Sequence, residues 1–346
     1  MLKSLCRQFQ KTEMGFPDRV RVSQGSAVVL GILDSRIEVA PLTAYLLTYS
    51  EERCSANCGF CSQARTSFGR SDLLSRVVWP IFPLSKVASG IMNAYRVGVI
   101  KRVCIQAMKY ANVTQDLLGI ISRIRASCDI PLSVSIQPIS PIELQMLIDA
   151  GVERIAIPLD AATSEIFEKV KGRSVGSPFQ WDVHVRMLQK AVEVFGRERV
   201  TSHLIVGLGE TDREIVKTMQ DLTDIGIRVG LFAFTPVPGT ALEDCSQPST
   251  KRYRVIQLAY YLLSTGRLRH SDVEFDDAGK LLHLGTRQNT LREIVGRGDA
   301  FMTTGCPNCN RPFYNERPSG PIYNYAKQPT RDEISLIERD LNEALR

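Results

Sequence analysis

Three cysteines with the spacing C-x3-C-x2-C lie in the segment Cys54-Ser-Ala-Asn-Cys58-Gly-Phe-Cys61. Thiolates are soft ligands that suit iron–sulfur clusters and zinc. Three of them on one loop can hold three irons of a cubane 4Fe–4S cluster and leave the fourth iron open. A structural zinc site is the alternative, but it normally needs four protein ligands. The segment predicts a cluster with one open coordination position.

A second pair of cysteines, Cys306 and Cys309, has the C-x2-C spacing of metal sites. Two thiolates cannot complete a cluster, so a third ligand must come from elsewhere in the chain. The remaining cysteines, Cys6, Cys104, Cys128 and Cys245, stand alone, and a lone cysteine is by default a small buried hydrophobe. A zinc knuckle or a packed loop with reduced thiols is the alternative interpretation of the pair.

The elements that must position these cysteines follow an α/β pattern. From about residue 41 onward, short β-branched runs alternate with segments of helical period, as in repeated βα units. Six strands are predicted at residues 44–48, 102–106, 132–136, 154–158, 200–206 and 230–234. Two weaker strands, at 273–275 and 300–303, flank a predicted helix at 289–296. Together they predict a TIM-type (βα) barrel of eight units.

The barrel accounts for residues 41–304 and leaves an extension at each end. Residues 1–40 are predicted to be a helix-rich N-terminal extension. Residues 305–346 contain the second cysteine pair, a loop rich in Pro, Asn, Gly and Tyr, and a charged helix. In parallel barrels the chemistry lies in the loops that follow the strands. We therefore expect both cysteine groups, and Cys104 near the end of strand two, at the carboxyl-terminal mouth.

Composition is typical of a globular cytosolic protein, with 44% hydrophobic and 23% charged residues. No apolar run reaches the roughly 18 residues of a membrane span, and the N-terminus lacks the apolar stretch of a secretory signal. The net charge of +6 is spread along the chain without a basic block. We expect a cytoplasmic protein that binds neither membrane nor nucleic acid.

The cysteine segment, continued as Ser-Gln-Ala and placed in a βα barrel, resembles the biotin synthase branch of the radical S-adenosylmethionine (radical SAM) superfamily over residues 40–310. Two later segments are similar to motifs of that branch, Ile205-Val-Gly-Leu-Gly-Glu210 at strand five and Phe234-Thr-Pro-Val-Pro-Gly-Thr240 at strand six. The resemblance implies that the open iron binds S-adenosylmethionine (SAM). An electron from a low-potential donor then cleaves SAM to a 5'-deoxyadenosyl radical, which removes hydrogen from an unactivated carbon.

The resemblance also implies a set of SAM-binding residues. Those residues are Phe60, Gln106, Ala107, Asp160, Arg173, Val206, Gly207 and Phe234. Phe60 would lie against the adenine, Gln106 and Ala107 would bind the methionine amine, and Asp160 would lie near the ribose and substrate. Arg173 would pair with the methionine carboxylate through its planar fork. The alternatives are core packing for Phe60 and solvated surface positions for Asp160 and Arg173.

The chain departs from biotin synthase at the second cluster. That branch holds a 2Fe–2S cluster through three cysteines and an arginine on barrel strands. Cys104 matches the strand-two ligand, but Ser133 and Thr201 stand where strands three and five should carry cysteines. Residues 273–275 offer no arginine. We therefore expect the biotin-type cluster to be absent.

The C-terminal sequence Cys306-Pro-Asn-Cys309-Asn-Arg-Pro-Phe-Tyr-Asn-Glu-Arg-Pro predicts a different auxiliary cluster. With Cys104 as the third ligand, and Cys128 as the alternative, the pair would hold a 4Fe–4S cluster whose fourth ligand is labile or is not a cysteine. The same sequence resembles the C-terminal signature of subunits of two-protein, archaeal-type lipoyl synthases.

The second resemblance implies a function and partners. It implies sulfur insertion at C6 or C8 of an octanoyl group on a lysine of a lipoyl domain or glycine-cleavage H protein, with the auxiliary cluster as sulfur donor. A homologous second subunit and a low-potential electron donor would be partners. One alternative is another biotin synthase-branch enzyme, a mutase or a metal-cofactor assembly enzyme, without sulfur insertion. The other is a non-catalytic zinc-binding scaffold.

Overall fold

A computed structural model describes residues 17–345 of the chain. Residues 1–16, which include Cys6 and part of the predicted helix-rich extension, lie outside the described residues. The rest of that extension contains one strand and one short helix rather than helices alone. None of the helices within residues 17–345 is long and apolar enough to cross a membrane.

Short strands and amphipathic helices alternate along the chain. In chain order the strands are β1 (Arg19–Val22), β2 (Thr43–Leu47), β3 (Leu73–Leu74), β4 (Val77–Val78), β5 (Ile81–Pro83), β6 (Arg102–Gln106), β7 (Leu132–Ser135), β8 (Arg154–Ala156), β9 (Val200–Val206), β10 (Ile227–Ala233), β11 (Glu274–Phe275) and β12 (Leu281–His283). The helices are α1 (Gln24–Val29), α2 (Leu84–Arg96), α3 (Val113–Arg125), α4 (Pro141–Asp149), α5 (Ser164–Val170), α6 (Trp181–Phe195), α7 (Asp212–Asp224), α8 (Thr250–Ser264), α9 (Gln288–Arg297) and α10 (Arg331–Ala344). The described residues also contain three 3-10 turns, at Arg173–Val175, His270–Asp272 and Asp299–Phe301.

The main sheet has the strand order β10-β9-β8-β7-β6-β2-β1-β5. Its first six strands run parallel, while β1 pairs antiparallel with β2 and β5 pairs antiparallel with β1. Every residue of β2 and of β7 is buried, as expected for parallel strands covered on both faces. The six strongly predicted strands are therefore present, with ends displaced by up to three residues.

The two weaker strands do not join this sheet, so the eight-unit expectation is not met by the residues described. Residues 273–275 contribute to β11, which pairs with β12 in a separate two-stranded sheet. Residues 300–303 fall in and after the 3-10 turn Asp299–Phe301, with one bridge between Met302 and Tyr325. The amides of Phe301, Met302 and Thr303 donate to the carbonyls of Gly298, Asp299 and Tyr325, so they do not pair with β10. The predicted helix at 289–296 is confirmed as α9.

The C-terminal segment is anchored on α8 by buried polar side chains. Arg254 is 3% exposed, and its guanidinium donates hydrogen bonds to the carbonyls of Tyr323 and Ile322 and to the side chain of Gln257. Gln257 in turn donates to the carbonyls of Phe301 and Tyr323. Because a buried carbonyl without a donor is costly, these bonds fix the path of residues 301–325.

Replacing Arg254 should therefore loosen the C-terminal segment. We expect Arg254→Met to reduce the free energy of unfolding by about 2–4 kcal/mol, because buried carbonyls lose their donors. Urea denaturation followed by circular dichroism measures the change. The exposed Arg292 on α9 provides a matched control, since Arg292→Met should stay within about 0.5 kcal/mol of wild type. Equal losses in the two variants would contradict the anchoring role.

Candidate active site

One cavity of about 240 Å³ is lined by side chains from all six parallel strands and from the C-terminal segment. Six cysteines contribute to its wall, namely Cys54, Cys58, Cys61, Cys104, Cys306 and Cys309. Cys128 instead packs against the hydrophobic core, and Cys245 is exposed. The structure thus brings Cys104, and not Cys128, to the site shared by the two cysteine groups.

The first cysteine loop follows β2 and is tied to neighbouring loops by backbone hydrogen bonds. The amide of Cys61 donates to the carbonyl of Cys58 at 3.0 Å, which closes a tight turn. The amide of Ser55 donates to the carbonyl of Lys109 at 2.8 Å, and the amide of Lys109 donates to Cys54 Sγ at 3.2 Å. The loop therefore presents its thiols from a fixed backbone at the carboxyl ends of the strands.

The cysteines of this loop are partly buried, and their thiols lie close to one another. Burial raises the pKa of Cys61 to about 12, with a further contribution from Cys54. Burial also raises the pKa of Cys58 well above its ordinary value, against the opposing charge of Lys171. A bound metal reverses this preference, because a coordinated thiol is deprotonated outright.

Three thiols on one wall of a cavity, one of them receiving an N–H donor, fit an iron–sulfur cluster, whose sulfurs commonly accept such bonds. The part of the chain that the structure describes has no three His, Cys, Asp or Glu side chains that converge closely enough to hold a single metal ion.

The second cysteine group, Cys104, Cys306 and Cys309, lies against the strands of the sheet. Cys306 Sγ is 3.8 Å from the hydroxyl oxygens of both Ser133 and Thr201, and Cys309 Sγ is 3.5 Å from the phenolic oxygen of Tyr45. Burial raises the pKa of Cys104, and the adjacent Cys306 and Cys309 raise it further. The three thiols therefore lie close enough for their charges to interact.

The position of this group differs from the expectation of a shared carboxyl-terminal mouth. Its loop is hydrogen-bonded to residues at the beginning of the strands: the hydroxyl of Thr43 donates to the carbonyl of Asn308 at 2.9 Å, and Nε of Arg102 donates to the carbonyl of Pro307 at 3.3 Å. Without an eighth strand to carry it to the mouth, the segment enters the sheet from the amino-terminal side. The two cysteine groups thus face one cavity from opposite ends.

Most of the residues assigned to SAM binding line the same cavity. They are Phe60, Gln106, Ala107, Asp160 and Phe234. Arg173 is exposed on a 3-10 turn and is not part of the lining, and Val206 is fully buried in the core.

Gly207 shapes the turn after β9 rather than the cavity wall. Its φ is +106°, and an added Cβ would lie 2.9 Å from Pro248. The carboxylate of Glu210 accepts hydrogen bonds from the amides of Gly207 and Leu208 at 2.7 and 2.9 Å. The conformation therefore favours glycine, and Glu210 holds the turn closed.

A buried ion pair between Lys171 and Asp160 was not predicted from the sequence. The side chain of Lys171 is fully buried, and its Nζ donates to Asp160 Oδ2 at 2.8 Å between the rings of Phe167 and Phe179. Asp160 lines the cavity with a φ of +68°, which is strained for a residue other than glycine. Nothing in the sequence distinguishes Lys171 from the exposed Lys169.

His203 is a second cavity residue that the sequence did not indicate. It projects from β9 between Thr201 and Ile205, which also line the cavity. Burial lowers the pKa of His203 to about 4, so the imidazole is neutral at physiological pH. Its only sequence signal is its place in the inward-facing alternation of the strand.

Comparison of the fold with solved structures finds many similar chains, among them two structures of one kind of protein. The FeFe-hydrogenase maturase HydG from Carboxydothermus hydrogenoformans is 17% identical, with a TM-score of 0.51, over 66% of this chain and 52% of that chain. Another HydG structure, a maturase of the FeFe-hydrogenase, is 13% identical, with a TM-score of 0.52, over 70% of this chain and 58% of that chain. The chain spans somewhat more than half the length of these proteins. The likeness shows a shared fold.

Sequence comparison identifies the family. No curated protein sequence matches the chain. The family model of the radical SAM superfamily matches residues 50–222, which is half of the chain and includes the first cysteine loop. The chain therefore belongs to the radical SAM superfamily, whose members are enzymes that use a 4Fe–4S cluster and S-adenosylmethionine.

Proposed function

We propose that this radical SAM enzyme inserts sulfur at C6 or C8 of an octanoyl group carried on a lysine of a lipoyl domain or glycine-cleavage H protein. Its partners would be a homologous second lipoyl synthase subunit and a low-potential electron donor. One observation supports the proposal above others: two groups of three cysteines face a single cavity from opposite ends. A substrate carbon between them would have a hydrogen acceptor on one side and a sulfur source on the other.

In this proposal Cys54, Cys58 and Cys61 hold the SAM-cleaving cluster. When bound, that cluster and SAM supply a 5'-deoxyadenosyl radical able to remove hydrogen from an unactivated carbon. The chain itself contributes the fixed loop and the amide of Lys109, which donates to Cys54 Sγ. The cavity lining at Phe60, Gln106, Ala107, Asp160 and Phe234 would hold SAM beside the open iron.

Cys104, Cys306 and Cys309 would hold the auxiliary 4Fe–4S cluster, which supplies sulfide when bound. Arg311 lies in the same lining, and its charge opposes the rise that burial causes in the pKa of the Cys104 and Cys309 thiols. The positive charge of Arg311 would stabilise the negative charge of three thiolates and of a cluster bound to them.

Apolar side chains line the cavity as well. They are Leu47, Met108, Ile136, Ile205 and Phe232, among others. Such a lining suits an alkyl chain and keeps water away from a carbon radical. The substrate class in the proposal is therefore compatible with the chemistry of the wall.

Replacement of Cys306 separates sulfur insertion from SAM cleavage. We expect Cys306→Ala to retain formation of 5'-deoxyadenosine and to lose thiolated product, because only the sulfur source is removed. Iron should fall from about eight to about four atoms per chain after anaerobic reconstitution. The measurements are iron analysis and mass spectrometry of an octanoyl-lysine peptide, with and without the partner subunit. The exposed Cys245 provides the control, Cys245→Ala. Unchanged thiolation in the Cys306 variant would overturn the proposal.

Replacement of Lys171 tests the assignment of Asp160 to SAM binding. We expect Lys171→Met to raise the dissociation constant for SAM roughly tenfold or more, since the Asp160 carboxylate loses its buried partner. Equilibrium binding of SAM to the reconstituted protein measures the effect. Lys169→Met, two residues away and exposed, should bind SAM as the wild type does. Equal affinity in the two variants would exclude a role for the pair in SAM binding.

A further inference from the structure

Two hydroxyl groups face the sulfur of Cys306. Ser133 lies on β7 and Thr201 on β9, and each places its oxygen 3.8 Å from Cys306 Sγ. Both residues are 2% exposed, so water does not compete for these hydroxyls. Their strands, β7 and β9, lie on opposite sides of β8. The sheet therefore brings two hydroxyl groups to the same thiol.

Arg102 determines the direction of the Ser133 hydroxyl. Its Nη1 donates to Ser133 Oγ at 3.0 Å, and an arginine can only donate. The Ser133 oxygen is therefore occupied as an acceptor from Arg102, and its own proton is free for Cys306. The guanidinium is 4% exposed and is fixed by Glu153 through Nη2 at 2.9 Å and by the carbonyl of Pro307 through Nε at 3.3 Å.

The Thr201 hydroxyl is a second donor to Cys306 when the cluster is bound. Its oxygen and Cys306 Sγ are within hydrogen-bond range, and either could donate if the sulfur kept its proton. A thiolate that binds iron has no proton, so with the cluster bound the hydroxyl must be the donor. Cys306 would then receive two hydrogen bonds from side chains.

We infer that Ser133 and Thr201 are positioning residues that donate hydrogen bonds to the Cys306 thiolate of the auxiliary cluster, with Arg102 orienting Ser133. The inference rests on the proposed function, because it requires Cys306 to be a cluster ligand. Hydrogen bonds to cluster sulfurs withdraw negative charge and raise the reduction potential. The chain thus carries two donors to one thiolate at the positions where biotin synthase carries two cysteine ligands.

The test is a redox titration of the auxiliary cluster followed by electron paramagnetic resonance. A Cys58→Ala background removes the SAM-cleaving cluster, so that the auxiliary signal is seen alone. In that background we expect Ser133→Ala and Thr201→Val each to make the midpoint potential more negative, with a larger shift in the double variant. Thr201→Ser keeps the hydroxyl and should stay near the parent value.

Ser135→Ala is the matched control, since Ser135 lies on the same strand and lines the same cavity without a hydrogen bond to Cys306. An unchanged potential in the double variant, with about eight irons per wild-type chain, overturns this inference and leaves the proposed function standing. About four irons in the wild type overturns both. If the double variant cannot retain the auxiliary cluster, the Thr201→Val shift decides the question in the same way.

Discussion

The parallel sheet ends at β10, and the backbone groups along that edge need partners. The C-terminal segment supplies them: the amide of Leu231 donates to the hydroxyl of Thr304 at 2.9 Å, and Arg311 donates to the carbonyls of Thr304 and Leu231. On the other side of the segment, the side chain of Asn310 bonds Leu42 and Ala40 just before β2. The segment therefore covers an open sheet edge and joins it to β2. The position of Cys306 and Cys309 against the strands depends on this closure.

Positive charge accompanies the partly buried cysteines at both ends of the cavity. Lys171 opposes the rise in the pKa of Cys58 that burial causes, and Arg311 and Arg102 do the same for Cys104 and Cys309. Each cation is held by protein acceptors, which include Asp160, Glu153 and the carbonyl of Thr304. A buried charge without such partners would be unfavourable. The cavity is therefore prepared electrostatically for negatively charged groups.

The sequence was informative where a pattern is local. The C-x3-C-x2-C loop and the six strong strands depend on short-range spacing, and both occur where they were expected. The end of the sheet was not predictable in this way, because residues 300–303 could pair with β10 only if the tertiary structure left room for them. The wrong prediction for Cys306 has the same cause, because a parallel eighth strand would have placed it at the carboxyl-terminal mouth.

Two choices between nearby residues also required the fold. Lys171 and Arg173 are both cations after α5, but the chain turns so that the first is buried against Asp160 and the second is exposed. Cys104 lies in the middle of β6, while Cys128 follows the end of α3. The alternation of side chains along a strand favours an inward position for Cys104. Its proximity to Cys306, however, joins parts of the chain that are about two hundred residues apart. The periodicity of a sequence carries no information about contacts between such distant residues.

The arrangement has a consequence for position along a substrate chain. The loop around Pro307 and Asn308 lies at the amino-terminal end of the sheet, so in the proposed function an acyl group would enter from the carboxyl-terminal mouth. Under the proposed function, the carbon that meets the sulfur source is then set by how deep the chain can extend. In that case the C-terminal segment, which Arg254 anchors through the carbonyl of Tyr323, would limit this depth. Two homologous subunits could therefore share the radical chemistry and differ in the carbon they modify through the path of this one segment.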